Sequence, residues 1–168
     1  MKAATAIVLR DGSELEVRPL EPDERERLVR LFHRLSPESV YRRFLSPLHE
    51  PSEVGLDRLL DIDHQDREAV AAVSGDEVVG VARYFRAPGT DTADLAVVVE
   101  DAWQGKGLSG FLIDRLTELA RRRGISRFTT TILSENRPAI RMVRRSFPAA
   151  TFELNGTEVF AEMPLGSG

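Results

Sequence analysis

The chain reads as a single α/β domain. Its central sheet is mixed but mostly antiparallel, it is flanked by helices, and it contains one parallel β-α-β step. Three observations predict this. Tight-turn residues at Asp11-Gly12, Ser74-Gly75-Asp76 and Asn155-Gly156 each fold one apolar run back on another, the chemistry of β-hairpins. Stretches with apolar residues at helical spacing lie between the hairpins. One succession of strand, helix and strand lacks an intervening hairpin, with strands at residues 93–100 and 126–132 and the helix at 107–123. With 168 residues and 42% hydrophobic content, the chain is the right size for one sizeable core.

The first hairpin is ATAIVLRDGSELEVRPL. PDERERLVRLFHRLSP follows as a helix, with Leu28, Leu31, Phe32 and Leu35 on one face and acidic residues in the first turn, where they suit the helix dipole. PESVYRRFL and PSEVGLDRLLDI are shorter helical pieces separated by Pro47 and Pro51. EAVAAVSGDEVVGVARYF is the second hairpin, and the loop APGTDT leads into ADLAVVVE, a strand whose near-continuous apolar run predicts burial on both faces. The next helix sets Leu108, Phe111, Leu112, Leu116, Leu119 and Ala120 on one side and closes with Arg121, Arg122, Arg123 and Gly124. SRFTTTIL is a strand, and NRPAIRMVRRSF is a helix with Asn136 as N-cap and Pro138 in its first turn. ATFEL and EVFAEMPL form the last hairpin. The domain is expected to span residues 1–165, with residues 166–168 a loose tail.

A net charge of −4 and a pI near 5.5 argue against a general nucleic-acid binder. Only Lys2 and Lys106 among the 23 basic residues are lysine, and the arginine excess is spread along the chain, as a compositional bias would be. The absence of cysteine excludes disulfides, thiolate metal clusters and a cysteine nucleophile, and it fits a reducing cytoplasmic setting. The N-terminal apolar run stops at Arg10, short of a cleaved signal, and no run suits a bilayer. His33, His49 and His64 lack ligand spacing, so no metal site is expected.

The informative stretch is AWQGKGLSGFL, whose Gly105, Gly107 and Gly110 follow a strand and open a helix, the usual setting of a phosphate cradle. A P-loop fails on spacing, because Glu100 and Gly107 stand where it needs glycine and Ser or Thr. The dinucleotide fingerprint matches the glycines, and Glu135 could serve as its ribose acid. Against it, EDAWQ separates the strand from Gly105, antiparallel hairpins come first, and one further helix is too few for two nucleotide halves. A plain glycine-rich turn is the remaining non-functional alternative. Taken whole, Gln104, Gly105, Lys106, Gly107, Leu108 and Ser109 match Q/R-x-x-G-x-G/A, the pyrophosphate loop of the GNAT acetyltransferase superfamily. AVVVEDAWQGKGLSGFLIDRL and ILSENRPAIRMV resemble that superfamily's consecutive strand-loop-helix and strand-helix segments, and the order of elements agrees over nearly the whole chain. Ser109 departs from the last Gly or Ala of the pattern, which implies weaker or shifted cofactor binding without its loss.

The resemblance implies a GNAT-type fold that uses acetyl-CoA, without metal, and transfers acetyl to a primary amine by direct attack in a ternary complex. It implies main-chain contacts to the pantetheine arm from Val97, Val98 and Val99, and further contacts from Asn136 and Ala139. It is strongest to bacterial protein-lysine acetyltransferases that modify acyl-CoA synthetases, which makes a protein lysine the leading acceptor. Their pattern AE-[IV]-A-x-x-V-x-D-x-x-QG-x-G, laid on ADLAVVVEDAWQGKG, puts Asp94 in the place of the acidic residue that serves as general base. An exposed aspartate of pKa about 3.9 is a poor base for a lysine near 10.4, and partial burial would improve the match. Glu135 is the backup base. The tyrosine that many members carry seven residues after Asn136 is Val143 here, leaving Tyr84 as a candidate acid. Tyr41, Arg42 and Arg43 lie in a segment, LSPESVYRRFLSP, that resembles the acceptor-side helix of that group. Glu100 and Asp101 flank the loop, where a carboxylate would repel a diphosphate. Two other functions compete: acetylation of a small amine (polyamine, amino sugar or antibiotic), and a non-catalytic acyl-CoA-binding module. A monomer or homodimer is expected, with neither nucleic acid nor membrane as partner, and the length leaves room for the catalytic domain alone.

Overall fold

The computed structural model describes residues 4–44 and 51–166. Pro47, His49 and the last two residues of the expected tail lie outside them. Eight strands form one sheet in the order β1-β2-β3-β4-β5-β6-β8-β7. They are β1 (Thr5–Val8), β2 (Glu14–Pro19), β3 (Arg67–Ser74), β4 (Glu77–Arg86), β5 (Thr92–Val99), β6 (Arg127–Leu133), β7 (Thr151–Asn155) and β8 (Glu158–Pro164). The helices are α1 (Arg25–Arg34), α2 (Pro37–Phe44), α3 (Glu53–Leu60), α4 (Leu108–Arg122) and α5 (Arg137–Ser146). Every neighbouring pair is antiparallel except β5 and β6.

The sheet is covered on both sides. Leu28 and Leu31 of α1 and Leu56 and Leu60 of α3 pack on Ala69, Ala71, Val78 and Val81. On the other side Leu108, Leu112 and Leu116 of α4 pack on Val70, Ala82 and Leu95, with Phe128 and Val143 in the same cluster. Each leucine so buried contributes about 1.5–3 kcal/mol. Gly80 lets α4 lie close to the sheet, since a Cβ there would come within 3.2 Å of a Leu112 methyl. Small side chains seat the helices as well as large ones.

Two expectations need correction. Phe111 is exposed, and Ile113 and Thr117 are buried in its stead. The sheet lies under the row Leu108, Leu112, Leu116 and the flank that holds 113 and 117, which leaves 111 on the outer edge of α4. Strand β5 is also not buried on both faces: Ala96, Val97 and Val98 are half-buried and Asp94 is accessible. The reason lies in its pairing with β6.

Candidate active site

Strand β5 pairs with β4 along its length, from Arg86–Ala93 to Gly80–Val99. With β6 it pairs only from Thr92–Arg127 to Asp94–Thr129. Beyond Asp94 the two strands part, while β6 stays paired to β8 as far as Leu133. One edge of β5 is thereby left without a strand partner, and a groove of about 440 Å³ lined by Val97, Val98 and Val99 opens beside it. Unpaired main-chain N–H and C=O groups facing a groove are available to a ligand that carries amides of its own.

The loop after β5 is held from behind. Glu100 pairs with Arg34 at 2.6 Å. Asp101 accepts from the Ser36 amide at 2.9 Å and the Ser39 hydroxyl at 3.1 Å. Gln104 donates through Nε2 to the Val99 carbonyl at 2.9 Å and to Ser39 at 3.2 Å. Both acidic residues are thus turned toward α1 and α2, away from the glycines. Next come Gly105 at φ 76° and Gly107 at φ 87°, a left-handed backbone that only glycine adopts cheaply. This alternation makes a concave set of N–H groups. No side chain caps α4, and Gly105, Gly107, Leu108, Ser109 and Gly110 line the groove. The positive end of the α4 dipole faces the same space.

Lys106 does not line this groove. Its ammonium sits 3.0 Å from Asp11 and 5.0 Å over the Trp103 ring, because the turn between two left-handed glycines sends the side chain toward the β1–β2 loop. Hydrogen bonds from Ser13 and Lys106 hold the Asp11 carboxyl well below the usual range. The neighbouring Arg10 comes to the cradle in its place. Its amide donates to the Lys106 carbonyl at 3.4 Å, and a Cβ on Gly107 would come within 3.0 Å of its Nε. Arg42, Arg43, Arg141 and Arg145 also line the groove, and no carboxylate among the described residues does. Arg42 and Arg43 come from the segment that resembles an acceptor-side helix, whereas Arg141 and Arg145 belong to the arginine excess that the sequence presents as compositional bias. The i, i+4 spacing of Arg141 and Arg145 on α5 was the available clue.

Where the strands part, a second cavity of about 340 Å³ holds Asp94, Arg42, Arg43, Asn136, Ala139 and Val143. Asp94 is accessible to solvent yet hemmed in by protein, and this desolvation raises its pKa against the pull of Arg83 and Arg43. Burial likewise lowers Arg83, and it brings Arg43 down to about 10, helped by the neighbouring Arg83 charge. Asn136 caps α5 by accepting from the Ala139 amide at 3.4 Å, while both residues also line the groove. Val143 is buried.

Two other candidates fall elsewhere. Tyr84 is 1% exposed on the α4 side of the sheet, against Phe128, and its hydroxyl donates to the Gln65 carbonyl at 2.9 Å. Strand alternation puts it on the face opposite Asp94, so it is a core residue and not an acid for this site. Glu135 is exposed and lines none of these cavities, because the turn before α5 directs Asn136 inward and its neighbour outward.

A third cavity, about 250 Å³, lies on the α1–α3 side of the same strands, between Leu28, Leu56, Leu59, Arg83, Ala96 and Val98. It shares Val98 and Arg43 with the groove and Ala96 and Arg43 with the Asp94 cavity. The sheet is therefore open to a ligand from both sides at one seam. Among the described residues no cluster of His, Asp and Glu could hold a metal ion, and no helix is long and apolar enough to cross a membrane.

The parted sheet with a glycine cradle at its mouth has counterparts among known proteins. Residues 28–147 match the profile of the Acetyltransferase (GNAT) family. The chain belongs to that family of acetyltransferases. It is 35% identical over 133 residues to an acetyltransferase of Pseudomonas aeruginosa, covering 77% of this chain and 72% of that one. It is 31% identical over 133 residues to the acetyltransferase Pat of Mycolicibacterium smegmatis, covering 77% of this chain and 40% of that longer protein. The crystal structure of the GNAT domain of S. lividans PAT superimposes with a TM-score of 0.88 at 32% identity, covering 96% of each chain.

Proposed function

We propose that the protein transfers the acetyl group of acetyl-CoA to the side-chain amine of a protein lysine, such as one on an acyl-CoA synthetase, with donor and acceptor bound together. The observation that carries this reading is that the cavity holding Asp94 runs into the glycine-cradle groove, the two sharing Val97, Asn136, Ala139 and Met142. The residues present suit the donor. The amides from Gly105 to Ser109 and the guanidinium of Arg10 offer a cradle for a diphosphate, Arg141 and Arg145 offer charge for a further phosphate, and the free edge of β5 offers main-chain partners to an amide-bearing arm.

The acetyl donor supplies a thioester carbonyl, and the chain supplies the rest. Asp94 takes a proton from the incoming ammonium, directly or through water, so that the nitrogen lone pair is free to attack. The C–N bond forms as the C–S bond breaks, the thiolate leaves with the sulfur electrons, and the second proton that nitrogen sheds on becoming an amide passes through water to that thiolate. No tyrosine assists it, because Tyr84 is in the core, Tyr41 lines none of the cavities and Val143 fills the usual position. A thiol of pKa about 8.5 leaves readily without such help. Without cysteine, a cysteine-bound acyl intermediate cannot form. The absence of cysteine also suits a reducing compartment, and we place the enzyme in the cytoplasm. Polyamine and multiply aminated sugar or antibiotic acceptors are disfavoured, because beyond the reacting amine they bring further positive charges to a cavity lined by Arg43, Arg58 and Arg83.

Thiol release from acetyl-CoA, measured with lysine-bearing proteins and free amines, tests the reading. Asp94→Asn is expected to lower kcat by about 10²–10⁴ while the KM for acetyl-CoA changes little. Because burial raises the Asp94 pKa, wild-type kcat should fall on acidification at a higher pH than an exposed aspartate dictates, as the carboxylate protonates. Full activity of the variant at neutral pH would show that Asp94 is not the base.

A further inference from the structure

The cavity on the α1–α3 side has a composition that amine acetylation alone does not require. Its walls are apolar, Leu56, Leu59 and Val98 among them, yet Arg43, Arg58 and Arg83 also line it and no carboxylate among the described residues does. Arg83 stands on β4 opposite Ala96 of β5, half-buried, and its Nε has no hydrogen-bond partner among the described residues. A shielded guanidinium N–H without an acceptor is costly and is rarely kept without a use. Asp94 reaches Arg83 by Coulomb attraction without a hydrogen bond, and in the proposed reaction that carboxylate is engaged with the amine. The fork of Arg83 is thus left to receive something else.

We propose that this cavity selects the acceptor, and that the acceptor is a lysine-bearing segment with an Asp or Glu beside the lysine. The acidic side chain pairs with Arg83 while an apolar neighbour fills the leucine-lined space. This rests on the lysine acetyltransferase reading and names its substrate class. Charge decides the sign: a segment rich in lysine or arginine adds positive charge to a wall that already carries three guanidinium groups, whereas a carboxylate removes a repulsion and gains a charge-assisted, geometrically matched pair. At about 250 Å³ the cavity has room for side chains of an extended segment. Asp94 and Arg83 then divide the work on one acceptor, the first receiving the ammonium and the second the neighbouring carboxylate.

The test uses the full chain, acetyl-CoA and blocked peptides that differ only in the residue next to lysine, Glu, Gln or Lys, with thiol release and peptide mass both recorded. The expected kcat/KM is about tenfold higher for the Glu peptide than for the Gln peptide, carried mainly by KM, with the Lys peptide lower still. Arg83→Gln should bring the Glu-to-Gln ratio to about one, Arg83→Lys should retain part of it, and Arg83→Glu should reverse the preference toward the Lys peptide. Equal use of the Glu and Gln peptides by wild type, or a preference that survives Arg83→Gln, overturns the inference and leaves the acetyltransferase reading intact. Acetylation of free apolar amino acids with no peptide modified also overturns it. Failure to acetylate any amine overturns both.

Discussion

On the α4–α5 side of the parted sheet the binding surface is largely main chain: the free edge of β5, the amides between Gly105 and Ser109, and the uncapped start of α4. On the α1–α3 side it is side chain: leucines from α1 and α3 with arginines from α2, α3 and β4. A main-chain surface tolerates changes of side chain but not of backbone dihedral. A side-chain surface behaves the other way, so the two substrates should respond to different kinds of mutation.

The sharpest way to break that contrast is Gly107→Val. A β-branched residue at φ 87°, with its Cβ 3.0 Å from Arg10, strains the cradle. The KM for acetyl-CoA should rise by about tenfold to a hundredfold, in line with the 1–3 kcal/mol of such backbone strain, while circular dichroism is unchanged. Wild-type donor binding in this variant would show that the cradle is not the donor site. A smaller effect falls on the other side. Leu59→Trp narrows the third cavity from a half-buried position. It should raise the peptide KM by roughly tenfold and leave the donor KM within about twofold; a donor effect of equal size would merge the two cavities into one site. The smallest is Arg10→Ala, which takes one guanidinium from the cradle and leaves its amides in place. A rise of about threefold in donor KM is expected, together with a weaker dependence of that KM on salt. No change would remove the β1–β2 loop from the donor site.

The same division explains what could be read in advance. The hairpin turns, the helix caps and the glycine loop are local chemistry, written in consecutive residues, and the structure follows them. Ser52 and Asn136 both cap as their types predict. Tyr84 and Asp94 lie on adjacent strands, and only the register, with Tyr84 opposite Leu95 and Phe85 opposite Asp94, sends them to opposite faces. Lys106 carried the right charge in the right motif, but the Asp11 that claims it is 95 positions earlier in the chain. The third cavity was illegible for the same reason: Leu28, Arg43, Leu56 and Arg83 meet only once α1, α2 and α3 have folded over the sheet.

Because β5 meets β6 through only three residue pairs, the sheet behaves as two plates, β1–β5 and β6–β8, sharing a short margin at Thr92, Ala93 and Asp94. This margin is the line along which the plates can pivot with the least disturbance of ladder bonds.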